Sequence, residues 1–207
     1  MFYETERNDH GLTYNPLKAC VLPRPIGWIS SMDAAGRVNL APFSFFNLVS
    51  ERPPLVMFCP NGAHVEGGEK DSLRNLRERG EFVVNLATYE LRHAVNASAA
   101  PLPRQVDEFE AAGVTPEPSM LVAPPRVKES PLHLECRLEQ IIELPGEVGG
   151  VPNHMVLGRV LGVQVRDSAI VDGMVRPERL KAISRLGYMD YAVTEETFTM
   201  PRPTAAA

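Results

Sequence analysis

The sequence predicts a mainly β chain, an antiparallel barrel with helices attached. Three observations carry that expectation. Segments that read as strands outnumber those that read as helices, and the turns between them are short. Leu132, Leu134, Cys136 and Leu138 alternate with polar residues, which is the period of a half-buried strand. A long apolar segment over 155–165 carries Gly158 and Gly162 in its interior, where a closing sheet has to bend.

The elements follow in order. Residues 26–32 read as a strand. Asp33-Ala34-Ala35-Gly36 then reads as a hairpin turn, in which Asp opens the turn and Gly supplies a positive φ. A second strand over 38–48 is interrupted by Pro42, which cannot donate to a ladder and so belongs on an edge or at a bulge. After Pro53-Pro54, residues 55–59 are apolar throughout and read as a strand buried on both faces. A Gly-rich loop over 61–70 leads into a helix over 71–79. Leu73 and Leu76 share one face of it, Arg74, Arg77, Glu78 and Arg79 form a solvated face, and Gly80 is its stop. A strand over 82–87 precedes a helix over 90–100, ended by Pro101 and Pro103. Residues 101–131 hold many of the 19 prolines, with a short helix over 107–112 and apolar anchors such as Phe109 and Val122. Asp172-Gly173 turns a hairpin over 170–176. Residues 177–186 read as a helix with proline in its first turn and Gly187 beyond its end. The whole chain, 1–207, reads as one domain, with 1–15 an N-terminal extension and 200–207 a tail expected to be disordered.

Composition narrows the function. The 207 residues carry 21 Lys and Arg against 26 Asp and Glu, a net charge of −5, which argues against nucleic-acid binding. No apolar run reaches the ~18 residues of a membrane span, and residues 1–12 lack the apolar core of a signal peptide. Cys20, Cys59 and Cys136 are far apart and form no C-x-x-C, which suits inert thiols in a reducing cytoplasm. The five histidines, His10, His64, His93, His133 and His154, show no metal-ligand spacing. No dinucleotide fingerprint, Walker loop or nucleophile elbow occurs.

Two features point to chemistry. Ser30, Ser31, Ser44 and Asn47 interrupt the apolar runs of 23–60, a pattern expected where strands line a site. Lys70-Asp71-Ser72 opens a helix with a cation and a hydroxyl, which suits a phosphate at the free N–H groups of the helix end. Asp71 is expected to cap the helix rather than face the anion. Taken alone, this motif reads more readily as an ordinary capped surface helix with no ligand. Together the two features suggest a phosphorylated aromatic cofactor held against a barrel, with Trp28, Phe45 and Phe46 as candidate walls.

Five stretches resemble, in order, the flavin reductase-like family of FMN-binding split barrels. They are RPIGWISSMDAAGRVNLAPFSFFNLVSERPPLVMF, KDSLRNLRERGEFVVNLATYEL, NASAAPLPRQVDEFEAAGVTP, APPRVKESPLHLECRL and SRLGYMDY. The resemblance implies a six-stranded Greek-key split barrel that binds FMN, and a homodimer with the flavin near the interface. It also implies hydride transfer from NADH or NADPH to FMN, with FAD or free flavin as a possible substrate. Some relatives pass reduced flavin to a partner monooxygenase; others are flavoredoxin-like electron carriers. By motif, Ser30 and Ser31 would lie beside the flavin, and Ser44 and Asn47 against its ring or ribityl chain. Lys70 and Ser72 would hold the phosphate. Asn96 and Ser98 would approach the cofactor, and Arg185 and Tyr188 would border the site. The loop PNGAHVEGGE departs from the family's shorter or more basic versions, which bears on the choice of nicotinamide.

Overall fold

Alternating side chains and tight turns build one seven-stranded sheet. In chain order its strands are β1 (Gly27–Met32), β2 (Val38–Phe43), β3 (Phe46–Glu51), β4 (Pro54–Phe58), β5 (Glu81–Leu86), β6 (Leu132–Val148) and β7 (Val151–Val165). In space the order is β2-β1-β5-β6-β7-β4-β3, and every pairing is antiparallel. These elements come from a computed structural model that describes residues 1–203; residues 204–207, part of the tail expected to be disordered, lie outside the described residues.

The edge strands β2 and β3 are joined only by Ser44 and Phe45. Six strand spacings in a flat sheet would separate them by about 29 Å. The linking residues reach only about 10 Å. The sheet therefore curls until its two edges meet, leaving a seam at Ser44 and Phe45. The Cys59 N–H donates to the Phe45 carbonyl at 2.9 Å and so carries the β3–β4 pairing up to the seam without crossing it.

The curled interior is apolar. Ile29, Phe43, Val56, Phe58, Phe82, Val84, Cys136 and Val156 fill it. Helix α1 (Asp71–Arg79) plugs one end with Leu73 and Leu76, the face its sequence periodicity indicates. Gly80 ends α1 at φ 69°, donating its N–H to the Leu76 carbonyl. A second apolar cluster lies outside the sheet, where Trp28 and Leu40 pack with Val95 of α2 (Arg92–Ala97) and Phe109 of α3 (Glu108–Ala112). A small sheet joins Arg24–Pro25 to β8 (Ile183–Arg185), and β8 to β9 (Tyr191–Val193). Among the described residues no helix is long and apolar enough to cross a membrane.

Several expectations are corrected. Residues 38–48 form two strands rather than one, because the chain changes edge at the seam; this accounts for seven strands where six were expected. The expected edge position of Pro42 is borne out: it lies within the edge strand β2, opposite Trp28. β4 is only partly buried, since its neighbour β3 is a largely exposed edge. β6 and β7 extend well beyond 132–138 and 155–165, because Val148 pairs with Val151 around Gly149 and Gly150 and the hairpin projects past the core. The helix expected over 90–100 spans only Arg92–Ala97. The helix expected over 177–186 stops at Leu180, where Lys181 turns left-handed at φ 45° and the chain enters β8. The arginines of α1 are not simply solvated: Arg77 pairs with Glu69, and Arg79 donates to the Asp33 carbonyl.

Gly158 shows how tightly the interior is filled. It sits at a register shift in β7, and a Cβ there would lie 2.2 Å from Cζ of the fully buried Phe82. Gly158→Ala is expected to lower unfolding stability by about 2–3 kcal/mol through overpacking, read as a lower denaturant midpoint at unchanged slope.

Candidate functional site

The seam opens into a cavity of about 910 Å³. Pro42, Phe43, Ser44 and Phe45 form its seam wall, and Cys59, Asn61 and Lys70 continue it. Val148 and Asn153 enter from the β6–β7 hairpin. Tyr14, Leu17, Lys18 and Arg24 come from the N-terminal segment, and Arg185 and Tyr188 from β8 and the loop after it. The wall therefore holds four cations (Lys18, Arg24, Lys70, Arg185) and no carboxylate. In a chain of net charge −5 this is a concentrated positive site.

Local structure holds these groups in place. Arg24 is buried, and its guanidinium donates to the carbonyls of Lys18, Val21 (2.5 Å) and Leu186 (2.6 Å), while its Nε has no partner among the described residues. Burial, then the neighbouring Arg185 charge, draws Arg24 below the usual arginine range. Arg185 stacks on Tyr191, with the guanidinium carbon 4.6 Å from the ring centroid, and donates to the Tyr188 carbonyl. Tyr188 adopts φ 52°, and its ring lies 5.7 Å from that of Tyr14. Oδ1 of Asn153 is buried without a partner among the described residues. Lys70 forms no ion pair among them either. Two like guanidinium charges, a free ammonium and an orphaned amide oxygen are groups that a polar anionic ligand would satisfy.

A smaller chamber of about 160 Å³ adjoins the cavity and shares Pro42, Phe43 and Lys70 with it. Ser72, Ser98, Asp71 and Glu108 also line it. Asn39 donates to the Ser72 hydroxyl oxygen at 2.9 Å, leaving the Ser72 O–H free to donate. Glu108 accepts the Leu40 N–H at 3.3 Å; burial, with the Asp71 and Asp107 charges nearby, pushes its carboxyl up to about 7.

The ten residues singled out by sequence divide clearly. Ser44, Lys70, Arg185 and Tyr188 share the large cavity, and Lys70 joins Ser72 and Ser98 in the chamber. The other four lie elsewhere. Ser30 and Ser31 are adjacent on β1 and so face opposite sides of the sheet. Both are fully buried: Ser30 donates to the Pro125 carbonyl at 2.5 Å, and Ser31 accepts from Asn75 at 3.1 Å. They satisfy interior polar groups and line neither space. Asn47 is exposed on β3, its side chain turned back to the Leu48 N–H. Asn96 borders a separate apolar cavity of about 270 Å³ with Ile183 and Val193. Ser98 accepts from the Trp28 indole at 2.9 Å, so Trp28 is interior and not a wall; Phe45 lines the cavity and Phe46 packs on Gly27. Asp71 does not cap α1, whose N-cap is Lys70; ion pairs with Arg104 and Arg74 and a contact from His64 Nε2 hold it instead. Cys59 lines the cavity half-buried rather than sitting in the core, and burial raises its thiol pKa.

Sequence reading missed Lys18, Arg24 and Asn153. Lys18 and Asn153 carry no local signal. Arg24 carried one, a cation held between two prolines at the start of the first β segment.

Comparison with known proteins agrees with this architecture. The family model "Flavin reductase like domain" matches residues 19–183. Nitrilotriacetate monooxygenase component B from Bacillus cereus is 34% identical, covers 97% of this chain and 98% of its own, and superposes with a TM-score of 0.87. The 2-nitrobenzoate 2-nitroreductase NbaA of Pseudomonas fluorescens is 27% identical over 100% of this chain and 98% of its own, with a TM-score of 0.84. A split-barrel protein of Shewanella frigidimarina is 20% identical and shares the fold, with a TM-score of 0.80 over 98% of this chain and all of its own. The curled, seam-opened sheet is thus the split barrel, and this chain belongs to the flavin reductase-like family.

Proposed function

We propose that the protein binds FMN in the seam cavity and transfers hydride from NADH or NADPH to it. One observation carries this reading: in an acidic chain, the 910 Å³ seam cavity has aromatic walls, four cations and no carboxylate. The donor set fits a phosphorylated flavin. Lys70, with the free Ser72 O–H beside it, supplies charge-assisted donors for a phosphate. Phe43, Phe45 and Tyr188 supply flat apolar surface. The orphaned Asn153 Oδ1 accepts an N–H, and Ser44 adds a hydroxyl at the seam.

When bound, the flavin supplies the hydride-accepting ring. The chain's own task is to orient that ring and stabilise charge. Arg24 and Arg185 place fixed positive charge, with little reorganisation, where negative charge builds on a reduced ring. Arg24 is already anchored by three backbone carbonyls, so its position costs nothing further at the moment of reaction. The exposed ring of Tyr188 flanks the mouth, where a nicotinamide needs only transient access.

The similarity to a monooxygenase component supports a partner oxygenase that receives reduced flavin. A homodimer is also proposed, supported by the free edge of β3, whose Leu48 and Val49 are 61% and 53% exposed beside the cavity-lining Phe45. The polar residues Asn47 and Asn96 lie outside the cavity within one chain, and a cofactor role for either is proposed only through such an assembly. Ser30 and Ser31 are proposed to act on the site only through the buried network behind it.

Purified protein titrated with FMN is expected to bind it and to oxidise NADH or NADPH with turnover. Lys70→Ala with Ser72→Ala is expected to weaken FMN by roughly tenfold or more and riboflavin little, since only FMN carries the charged tail. Tight FMN binding without nicotinamide oxidation would instead indicate an electron carrier, and no flavin binding would leave a cofactor-free barrel. Glu108 adds a pH dependence. Below pH 7 its carboxyl is protonated and neutral in the phosphate chamber; above pH 7 it is charged and repels an anion. Wild type and Glu108→Gln are expected to bind FMN equally at pH 6, and wild type several-fold more weakly at pH 8.5, a like-charge effect on the order of 1 kcal/mol.

A further inference from the structure

The chamber beside Lys70 contains a contradiction. Asp71, the first residue of α1, is buried there and would repel the anion that Lys70 attracts. We propose that Arg104 is a positioning residue that cancels Asp71 and thereby makes the chamber selective for the phosphorylated flavin. This rests on the FMN reading above.

Arg104 reaches Asp71 from a distant part of the chain. Its Nη1 donates to Asp71 Oδ1, and its Nη2 donates to the carbonyls of Gly67 (2.8 Å) and Glu69 (3.2 Å). Its Nε lies 3.7 Å from Glu66 Oε2. One guanidinium thus ties the loop before α1 to the proline-rich segment after α2, and residues of both segments line the chamber. Arg74 also reaches Asp71 Oδ1 at 3.1 Å. His64 approaches Oδ2 at 3.3 Å, while its Nδ1 accepts the Glu66 N–H, so a neutral His64 still donates to Asp71. With Asp71 held by three donors, Lys70 remains uncommitted and faces both spaces.

The arrangement differs from a plain structural clasp in what its loss does. Without Arg104, Asp71 keeps only its partner on α1 and His64, and its charge turns towards Lys70. That change affects a ligand with a phosphate and spares one without. It also disappears if Asp71 carries no charge.

The test is binding of FMN and riboflavin, measured by fluorescence quenching, to wild type, Arg104→Ala, Arg104→Lys, Asp71→Asn and the double variant Arg104→Ala with Asp71→Asn. Arg104→Ala is expected to weaken FMN about tenfold and leave riboflavin within about twofold, the scale of one lost charged hydrogen bond. Arg104→Lys is expected to fall between wild type and Arg104→Ala, and the double variant to recover most of the FMN affinity. The FMN-to-riboflavin ratio decides the matter, and Arg104→Lys with Asp71→Asn supplies it if Arg104→Ala does not fold. An unchanged ratio in Arg104→Ala, or equal loss of both flavins with no recovery in the double variant, would overturn the proposal and leave Arg104 a clasp. Wild type that binds neither flavin would overturn the FMN reading itself, and this proposal with it.

Discussion

The structure turns on a two-residue connection. Ser44 and Phe45 join strands at opposite edges of a seven-stranded sheet, and so short a link forces the sheet to close on itself. Closure creates the apolar interior that α1 plugs. It leaves a seam that no ladder seals, and the cavity lies at that seam. A shorter or flatter sheet would have had neither. The same constraint explains why the interior tolerates so little, since Phe82 occupies the space that Gly158 leaves.

Charge is distributed with equal economy. The chain is acidic overall, yet the cavity gathers Lys18, Arg24, Lys70 and Arg185 from three separate regions. Holding Arg24 beside Arg185 is unfavourable without an anion, and burial increases that cost. The backbone carbonyls around Arg24 offset part of it and fix the guanidinium at the wall. Next to this, the chamber carries two carboxylates, one tied by three donors and one with its ionisation pushed to about 7. Such compensation is expected where a binding site, rather than packing, dictates residue choice.

Local signals were legible in the sequence, while long-range ones were not. Helix α1, its Leu73–Leu76 face and its Gly80 stop follow from periodicity and capping alone, as does the edge position of Pro42. The break between β2 and β3 did not, because nothing in APFSFFN marks a change of sheet edge; it is a consequence of where the other strands lie. The extra length of β6 was hidden because Gln140 and Ile141 break its alternation where it leaves the core. Within the site, Lys70 and Ser72 were visible as a helix opening, and Ser44, Arg185 and Tyr188 through the resemblance. Ser30 and Ser31 are ambiguous in sequence because small hydroxyls serve a buried hydrogen-bond network, as both do within this chain, as readily as a ligand. Arg104 acts through a carboxylate and backbone carbonyls 33–37 residues away in sequence, a relation with no local signature.

The central claim is that the seam cavity holds a flavin whose phosphate is held at Lys70. A crystal structure of the protein soaked with FMN tests it most directly. The account predicts ring density between Phe45 and Tyr188, with the phosphate within hydrogen-bond distance of Lys70. Density at the apolar cavity beside Asn96, or a phosphate bound away from residues 70–72, would contradict it.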